Sequence, residues 1–268
     1  MEDIQKVLET RSFLSPRQIV EHMGEQFMKH NQYLDWEALY DIVIGVFGKE
    51  KKPISWYEMD KQRDELRENG IYLHEFDGNN GFLARDFGMP NGRHARFYLN
   101  AHDASGRKKI LESIVGEFKR GFKIKTVGTA KEGFGRYDNT IMYVGIDESA
   151  KYFDFLHNLS AEHASCFDKE VPLLTRKLGK GIGYAVSARK NMMNILGCPL
   201  NTENMSFTSL HSIVLQRTFD KAIKDSIEDY DAITEVYKHA LLGARFDPEK
   251  PYLLAGMKDP FEMVMVTD

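Results

Sequence analysis

Two lysines, Lys123 and Lys125, stand two residues apart in the segment FKIKTV. In an extended chain that spacing puts both on one face. Paired ammonium groups repel, which lowers the pKa of whichever is more buried. A lysine pushed toward neutrality is a general base. The segment RHARFYLNA carries a second polar face, with His94, Arg96, Tyr98 and Asn100 on one side and Ala95, Phe97, Leu99 and Ala101 on the other. Arg136 and Asp138 then precede the apolar stretch TIMYVG. An arginine there suits bidentate capture of a tetrahedral anion. Finally, PLLTRKLGKGIGYA threads Arg176, Lys177 and Lys180 through Gly179, Gly181 and Gly183. Glycines let backbone N–H groups approach an oxyanion, and the cations add charge. The chemistry these residues suggest is a base working beside cations that hold an anion.

Each motif has a plainer reading. The glycine-lysine run lacks the spacing of a P-loop, and GKGIG is not the GxGxxG of a dinucleotide fold, so a glycine-rich hairpin with a basic rim also fits. The His94–Asn100 face suits the wetted side of an edge strand. His163 and Cys166 have a spacing compatible with metal binding, but no further ligands stand nearby, so no metal is expected. Cys198 lacks a local histidine or asparagine signature and reads as a buried thiol.

The elements that must position these residues are legible from period and punctuation. SPRQ (Ser15 to Gln18) is a capping box with Pro16 at the first helical position and Leu14 and Ile19 as the staple pair; SWYE (Ser55 to Glu58) repeats it, with Ile54 and Met59. Asp35 caps the start of DWEALYDIVIGVF. Residues 1–76 therefore form an N-terminal helical region, and residues 77–268 an α+β domain. DGNNGFLARDFGMPNG reads as a long loop. RHARFYLNA, FKIKTV and TIMYVG read as strands, and GRKKILESIVGEFKRG and KYFDFLHNLSAEHASCF as helices. FTSLHSIVLQRTFDKAI and YDAITEVYKHALLG are further helices, the last with Gly243 as its C-cap and Glu228, Asp229 and Asp231 at its start. The class is α+β, a small central antiparallel or mixed sheet flanked by helices, with an N-terminal helical layer.

The order of these motifs resembles the HopA-type effector family. RFYLN supplies Arg96, Tyr98 and Asn100; FKIK supplies Phe122 and Lys125; RYD with the following strand supplies Arg136, Asp138 and Tyr143. LLTRKLGKGIGYA supplies Thr175, Arg176, Leu178, Gly181, Gly183 and Ala185, and MSF supplies Ser206 and Phe207. The likeness covers about residues 93–225. Two departures stand out: Thr126 precedes Val127, so Lys123 competes with Lys125, and SFTSLH puts Thr208 and His211 where the family has glycine and arginine. That family is known from type III secretion, and similar stand-alone proteins accompany kinase-like partners in lanthipeptide and thioamide peptide biosynthesis. The resemblance implies elimination of phosphate from phosphoserine or phosphothreonine to leave a dehydroamino acid. Such chemistry needs an α-proton base, an acid for the departing oxygen and cations on the phosphate. It implies no cofactor. Lys125 or Lys123 would be the base and Tyr98 or His94 the acid. Arg96, Arg136, Arg176 and Lys180 would hold the phosphate, with Asn100 and Asp138 in support.

Composition narrows the alternatives. The chain has 268 residues and a formal net charge of -4. Residues 93–190 carry 18 Lys/Arg against 11 Asp/Glu, while both flanks are acidic. A basic centre between acidic ends favours a localised anionic ligand over nucleic-acid coating. Two cysteines suit a reducing compartment, and neither a membrane-spanning run nor a Sec-type signal peptide is expected. The setting expected is a bacterial cytoplasm, or a host cytosol for an effector, with a phosphorylated peptide or protein as partner. A non-catalytic phosphopeptide-binding module is the second reading. An ADP-ribosyltransferase-like effector using Arg96 and Ser206–Thr208 is the third, weakened because Glu-x-Glu occurs nowhere in the chain.

Overall fold

The computed structural model describes residues 12–30, 34–47, 56–68, 70–75, 82–89, 92–127, 135–187, 192–203 and 205–262. Among them the elements are α1 (Pro16–His30), α2 (Trp36–Val43), α3 (Trp56–Glu68), β1 (His74–Glu75), β2 (Phe82–Phe87), β3 (His94–Leu99), α4 (Ala104–Glu117), β4 (Phe122–Val127), β5 (Thr140–Gly145), α5 (Ser149–Glu162), β6 (Arg176–Gly179), β7 (Ile182–Val186), β8 (Met192–Ile195), β9 (Cys198–Asn201), α6 (Phe207–Lys224) and α7 (Tyr230–Gly243). The class is α+β, as the periodicity requires.

Two compact units emerge, and they do not divide at residues 76 and 77. One gathers residues 1–47, 173–176 and 185–263; the other gathers 48–172, 177–184 and 264–268. In the first, α1 packs on α7, α2 on α6, and α6 on α7. The capping box forms as the sequence requires. Ser15 donates through N–H and Oγ to Gln18 Oε1 at 3.0 Å each, and Leu14 and Ile19 are buried beside it. Asp35 caps α2 by accepting from Ala38 N at 2.9 Å, and Asp229 caps α7 by accepting from Ala232 N at 2.9 Å. Ser55 and Ile54 of the second capping box lie outside the described residues, but α3 begins at the next position, Trp56.

The second unit holds most of a seven-stranded sheet of order β1-β2-β4-β5-β3-β7-β6, with residues 177–179 of β6 and 182–184 of β7. The β1–β2, β2–β4, β4–β5 and β5–β3 pairings run antiparallel. Paired residues share a face, so the register sorts the side chains into two sets. Ala95, Phe97 and Leu99 align with Val144, Met142 and Thr140, which align with Phe122, Ile124 and Thr126. All nine are fully buried. Among the buried apolar residues of this unit are Ile110, Leu111 and Ile114 of α4 and Tyr152 and Leu156 of α5. The Phe118 ring sits 4.5 Å from that of Tyr152 and 6.4 Å from that of Phe122. Burying one large apolar side chain stabilises by about 1.5–3 kcal/mol, so this layer fixes the sheet before any polar contact is counted.

Three sequence expectations need correcting. DGNNGFLARDFGMPNG is not one loop, because Phe82–Phe87 forms β2 along the whole of β4. Glycines and asparagines on both sides mask the short FLARDF run. The strand His94–Leu99 is interior, flanked by β5 and β7, so its polar face is not an exposed edge. Gly243 is the last helical residue of α7 and Ala244 the C-cap. A Cβ on Gly243 would fall 2.4 Å from the Asn194 carbonyl oxygen, so close packing rather than capping calls for glycine. The hairpin β8–β9, turning at Leu196 and Gly197 with φ of 51° and 83°, had no reading in the sequence.

Candidate functional site

The sheet register assembles the polar face. Arg96 of β3 aligns with Tyr143 of β5, which aligns with Lys123 of β4, which aligns with Asp86 of β2. One row along, Tyr98 aligns with Ile141, Lys125 and Ala84. Strands lie about 4.8 Å apart, so β3 and β4 are separated by about 10 Å with Tyr143 between them. The Arg96 guanidinium lies over the Tyr143 ring, 5.0 Å from its centroid. This cation–π contact holds a buried arginine in a fixed pose. Tyr143 belonged to the sequence motif without a role, and the register supplies one.

Arg136 and Asp138 reach the same place from the turn ahead of β5. Arg136 donates from Nε to Asp138 Oδ1 at 2.8 Å and from Nη2 to Oδ2 at 3.1 Å, a bidentate fork. The Asp138 side chain is only 3% exposed and that of Arg136 20%, so the pair is largely withdrawn from water. The edge of the guanidinium that faces Asp138 is thereby committed.

Lys125 reports on the whole cluster. Burial comes first and pushes its ammonium down to about 8. The Asp138 carboxylate opposes that fall, while the charges of Arg136, Arg96 and Lys123 add to it. Desolvation and like charge both favour the neutral amine. Groups shifted this way concentrate at reaction centres. Arg96, Lys123, Lys125, Arg136 and Asp138 therefore form one electrostatic cluster. Beside it, burial and the Glu170 carboxylate raise the Tyr137 hydroxyl.

The two acid candidates differ in place. Tyr98 is fully buried and level with Lys125. His94 is half-buried at the far end of β3, paired with Gly145. Four residues of strand separate them, about 13 Å.

Asn100 is structural. Its Nδ2 donates to Glu170 O at 3.0 Å, its Oδ1 accepts from Asn139 Nδ2 at 2.9 Å, and its backbone N–H donates to Gly181 O at 2.9 Å. Asn139, absent from the sequence reading, is fully buried. Its Oδ1 accepts from Ala101 N at 2.9 Å and its Nδ2 donates to Ala101 O at 2.8 Å. Arg107 of α4, also buried, donates from Nη1 to Val127 O at the end of β4. Burial lowers its guanidinium to about 10.

The glycine-lysine run is the β6–β7 hairpin. Gly181 turns it with φ of 64°, and a Cβ there would fall 2.4 Å from Asp168 O. The turn is glycine because another backbone passes against it. Lys180 donates from Nζ to Ala164 O at 2.7 Å. It bears on His102, whose imidazole is raised chiefly by its 2.7 Å contact with Asp168 and slightly opposed by Lys180. Arg176 belongs to the other unit, where its guanidinium is buried against Asp259. Tyr252 donates to the same carboxylate at 2.5 Å, and Phe261 N donates to Asp259 Oδ1 at 2.9 Å. The expected phosphate contacts thus separate into Arg96 and Arg136 near Lys125, Lys180 beside His102, and Arg176 in a buried ion pair.

His211, which the resemblance sets against an arginine, is fully buried between Phe207 and Phe246, with ring centroids 4.4 and 4.1 Å away. Burial lowers it to about 3, so it is a neutral core residue and not an anion contact. Ser206 is the N-cap of α6, accepting from Ser209 N at 3.0 Å. Cys198 is exposed and not a buried thiol. Among the described residues no group of three or more His, Cys, Asp or Glu side chains is placed to hold a metal, and no helix is long and apolar enough to cross a membrane.

This fold has solved counterparts. The structure of the effector protein from Pseudomonas syringae pv. tomato strain DC3000 superposes with a TM-score of 0.56 at 16% identity, covering 89% of this chain and 98% of that one. The effector from Pseudomonas syringae pv. syringae strain 61 gives 0.58 at 16% identity, covering 90% and 98%. No curated protein matches the chain. The family model described as the HopA1 effector protein family matches residues 79–253, a span that contains the Lys125 cluster and both neighbouring arginines. The chain therefore belongs to the HopA1 effector protein family.

Proposed function

We propose that this protein is a phosphopeptide lyase, eliminating phosphate from phosphoserine or phosphothreonine to give dehydroalanine or dehydrobutyrine. The observation that carries the reading is the Lys125 amine, brought down to about 8 by burial and set among Arg96, Arg136 and Asp138. Lys125 takes the α-proton. The electrons of the breaking Cα–H bond form the Cα=Cβ double bond, and the Cβ–O bond breaks toward phosphate. Arg96 and Arg136 draw the negative charge of the departing group, and a buried arginine does so more strongly than one in water. Tyr98 or His94 serves the departing oxygen. Membership of an effector family favours action in a host cytosol, with a phosphorylated host protein as substrate.

The second reading is a phosphopeptide-binding module without catalysis. It draws on the Arg136 fork being taken up by Asp138 and on His211 replacing an arginine. Mass spectrometry of a phosphothreonine peptide incubated with the protein separates the two. The lyase gives the peptide less the mass of phosphoric acid. A binding module holds the peptide and leaves its mass unchanged, and that result would sink the lyase reading.

A further inference from the structure

We propose that Asn139 is a positioning residue of the reaction centre: its side-chain amide stands in for a peptide unit and locks the Arg136–Asp138 turn against the end of β3. The proposal rests on the lyase reading for its kinetic consequences. The geometry it starts from is independent of that reading.

The last residue of β3, Leu99, aligns with Thr140, the first of β5. Beyond that pair the backbone ahead of β5 leaves the ladder to form the Arg136–Asp138 turn. Ala101 then has no partner across that ladder, and among backbone oxygens its N–H reaches only Leu99 O at 3.2 Å along its own strand, while buried backbone groups need good partners. The Asn139 amide serves its N–H and its C=O, accepting from Ala101 N at 2.9 Å and donating to Ala101 O at 2.8 Å. Its Nδ2 also donates to Asn100 Oδ1 at 2.9 Å and to Arg136 O at 3.3 Å. The Asn139 backbone carbonyl accepts from Val127 N at 2.8 Å and from Thr126 Oγ1 at 3.2 Å. One fully buried residue thus ties together the ends of β3 and β4 and the turn that carries Arg136 and Asp138. Only an amide fits, because the site asks one atom to accept and its twin to give its two protons to Ala101 O and Asn100 Oδ1, with Arg136 O a longer third contact. A carboxylate would face those oxygens with no proton to give.

The consequence reaches Lys125 through position. Facing its ammonium are Lys123 on β4, Arg96 from β3, and Arg136 and Asp138 from the turn. Asp138 acts on Lys125 more strongly than Arg136 does. Releasing the turn withdraws both and admits water to an ammonium whose burial is the largest cause of its shift, so the Lys125 titration midpoint moves.

The test uses the full chain with Asn139→Ala, and Asn139→Ser as the milder variant if the first does not fold. The reactivity of Lys125 toward acetic anhydride is followed against pH, peptide by peptide, by mass spectrometry. Elimination from a phosphothreonine peptide is measured in parallel as kcat and KM. The midpoint should move, and kcat should drop about 10²-fold with a smaller change in KM, as expected for a misplaced reaction centre. Thr126→Val, which removes a hydroxyl at the same junction and spares the amide, should leave the midpoint where it is. An unchanged midpoint in a folded Asn139 variant would overturn the proposal, as would an equal shift in Thr126→Val. If the unaltered protein eliminates no phosphate yet the midpoint still moves, the positioning role stands and the lyase reading fails.

Discussion

Replacing Lys125 by arginine keeps the positive charge and abolishes the base, because a guanidinium stays protonated at any pH a protein survives. The structure sets the size of the effect. With its pKa at about 8, roughly one Lys125 in ten is neutral at pH 7. At the ordinary lysine value of 10.5 the fraction would be roughly one in three thousand. Burial among arginines therefore enriches the reactive form roughly 300-fold, and the sign is definite: activity should climb as pH rises and level off above about 8. The phosphate itself loses a proton near pH 6, so the limb to watch is the one above pH 7. Losing a general base costs about 10²–10⁴-fold in rate. Lys125→Arg should lose at least that much elimination while still holding the phosphopeptide, since Arg96 and Arg136 are untouched. Lys123→Ala removes a charge that lowers Lys125, so it should keep most of the activity and move the limb slightly upward. The assay is loss of phosphoric acid from a phosphothreonine peptide, between pH 6 and 9.5, with binding measured separately by calorimetry. An active Lys125→Arg, or a rate that stays flat from pH 7 to 9, would refute the assignment of the base. An inactive Lys123→Ala beside an active Lys125→Ala would move the role two residues along β4.

Gly181→Ala should lower stability by about 1–2 kcal/mol for the positive φ alone, and by more because the new Cβ meets Asp168 O at 2.4 Å; urea unfolding reads the loss, and an unaffected midpoint would contradict the packing argument. Asp259→Asn leaves the buried Arg176 charge without its counter-ion and should cost about 3–5 kcal/mol without changing the pH profile of elimination; a selective loss of phosphopeptide binding would instead restore Arg176 as an anion contact. His211 makes the fold acid-sensitive: its folded pKa of about 3 lies below the usual 6.5, so its stabilising share is whole above pH 6.5 and declines as pH falls toward 3, by about 1.4 kcal/mol for each pH unit. His211→Leu should flatten that part of the stability curve between pH 6.5 and 4.5, and an unaltered slope would show that other groups set it.

Where the sequence carried a strong local signal, the fold followed it. Ser15–Gln18 capped α1 and Asp35 capped α2, because a cap needs only its own neighbours to form. The alternation in HARFYL and FKIKTV named both strands, since an apolar face opposite a polar one gives a two-residue period whether or not the polar face is also covered. β2 escaped notice because its pattern is six residues long and framed by asparagine and glycine. The edge-strand reading of β3 failed for a related reason. Alternation tells which face is apolar but not how many neighbours a strand has, and only β7 on the far side decides that.

The site was legible to the extent that it lies on strands with a fixed register. Lys125, Arg96 and Arg136 were all named from residue type and spacing, and the alignment of β3, β5 and β4 puts them within one field. The glycine-lysine run misled, because charge and glycine together have two physical causes and the chain does not say which one acts. At Gly181 the cause is the Asp168 backbone, and at Arg176 it is a buried carboxylate 83 residues away. Neither partner can be inferred from neighbours in sequence. Asn139 shows the same limit from the other side: an asparagine before a strand looks like turn punctuation, and its use as a substitute peptide unit appears only once Ala101 is seen opposite it. Local patterns in this chain thus disclose which charged and polar residues share a strand face. Residues that hold such a face in place are disclosed only by the long-range hydrogen bonds that the fold completes.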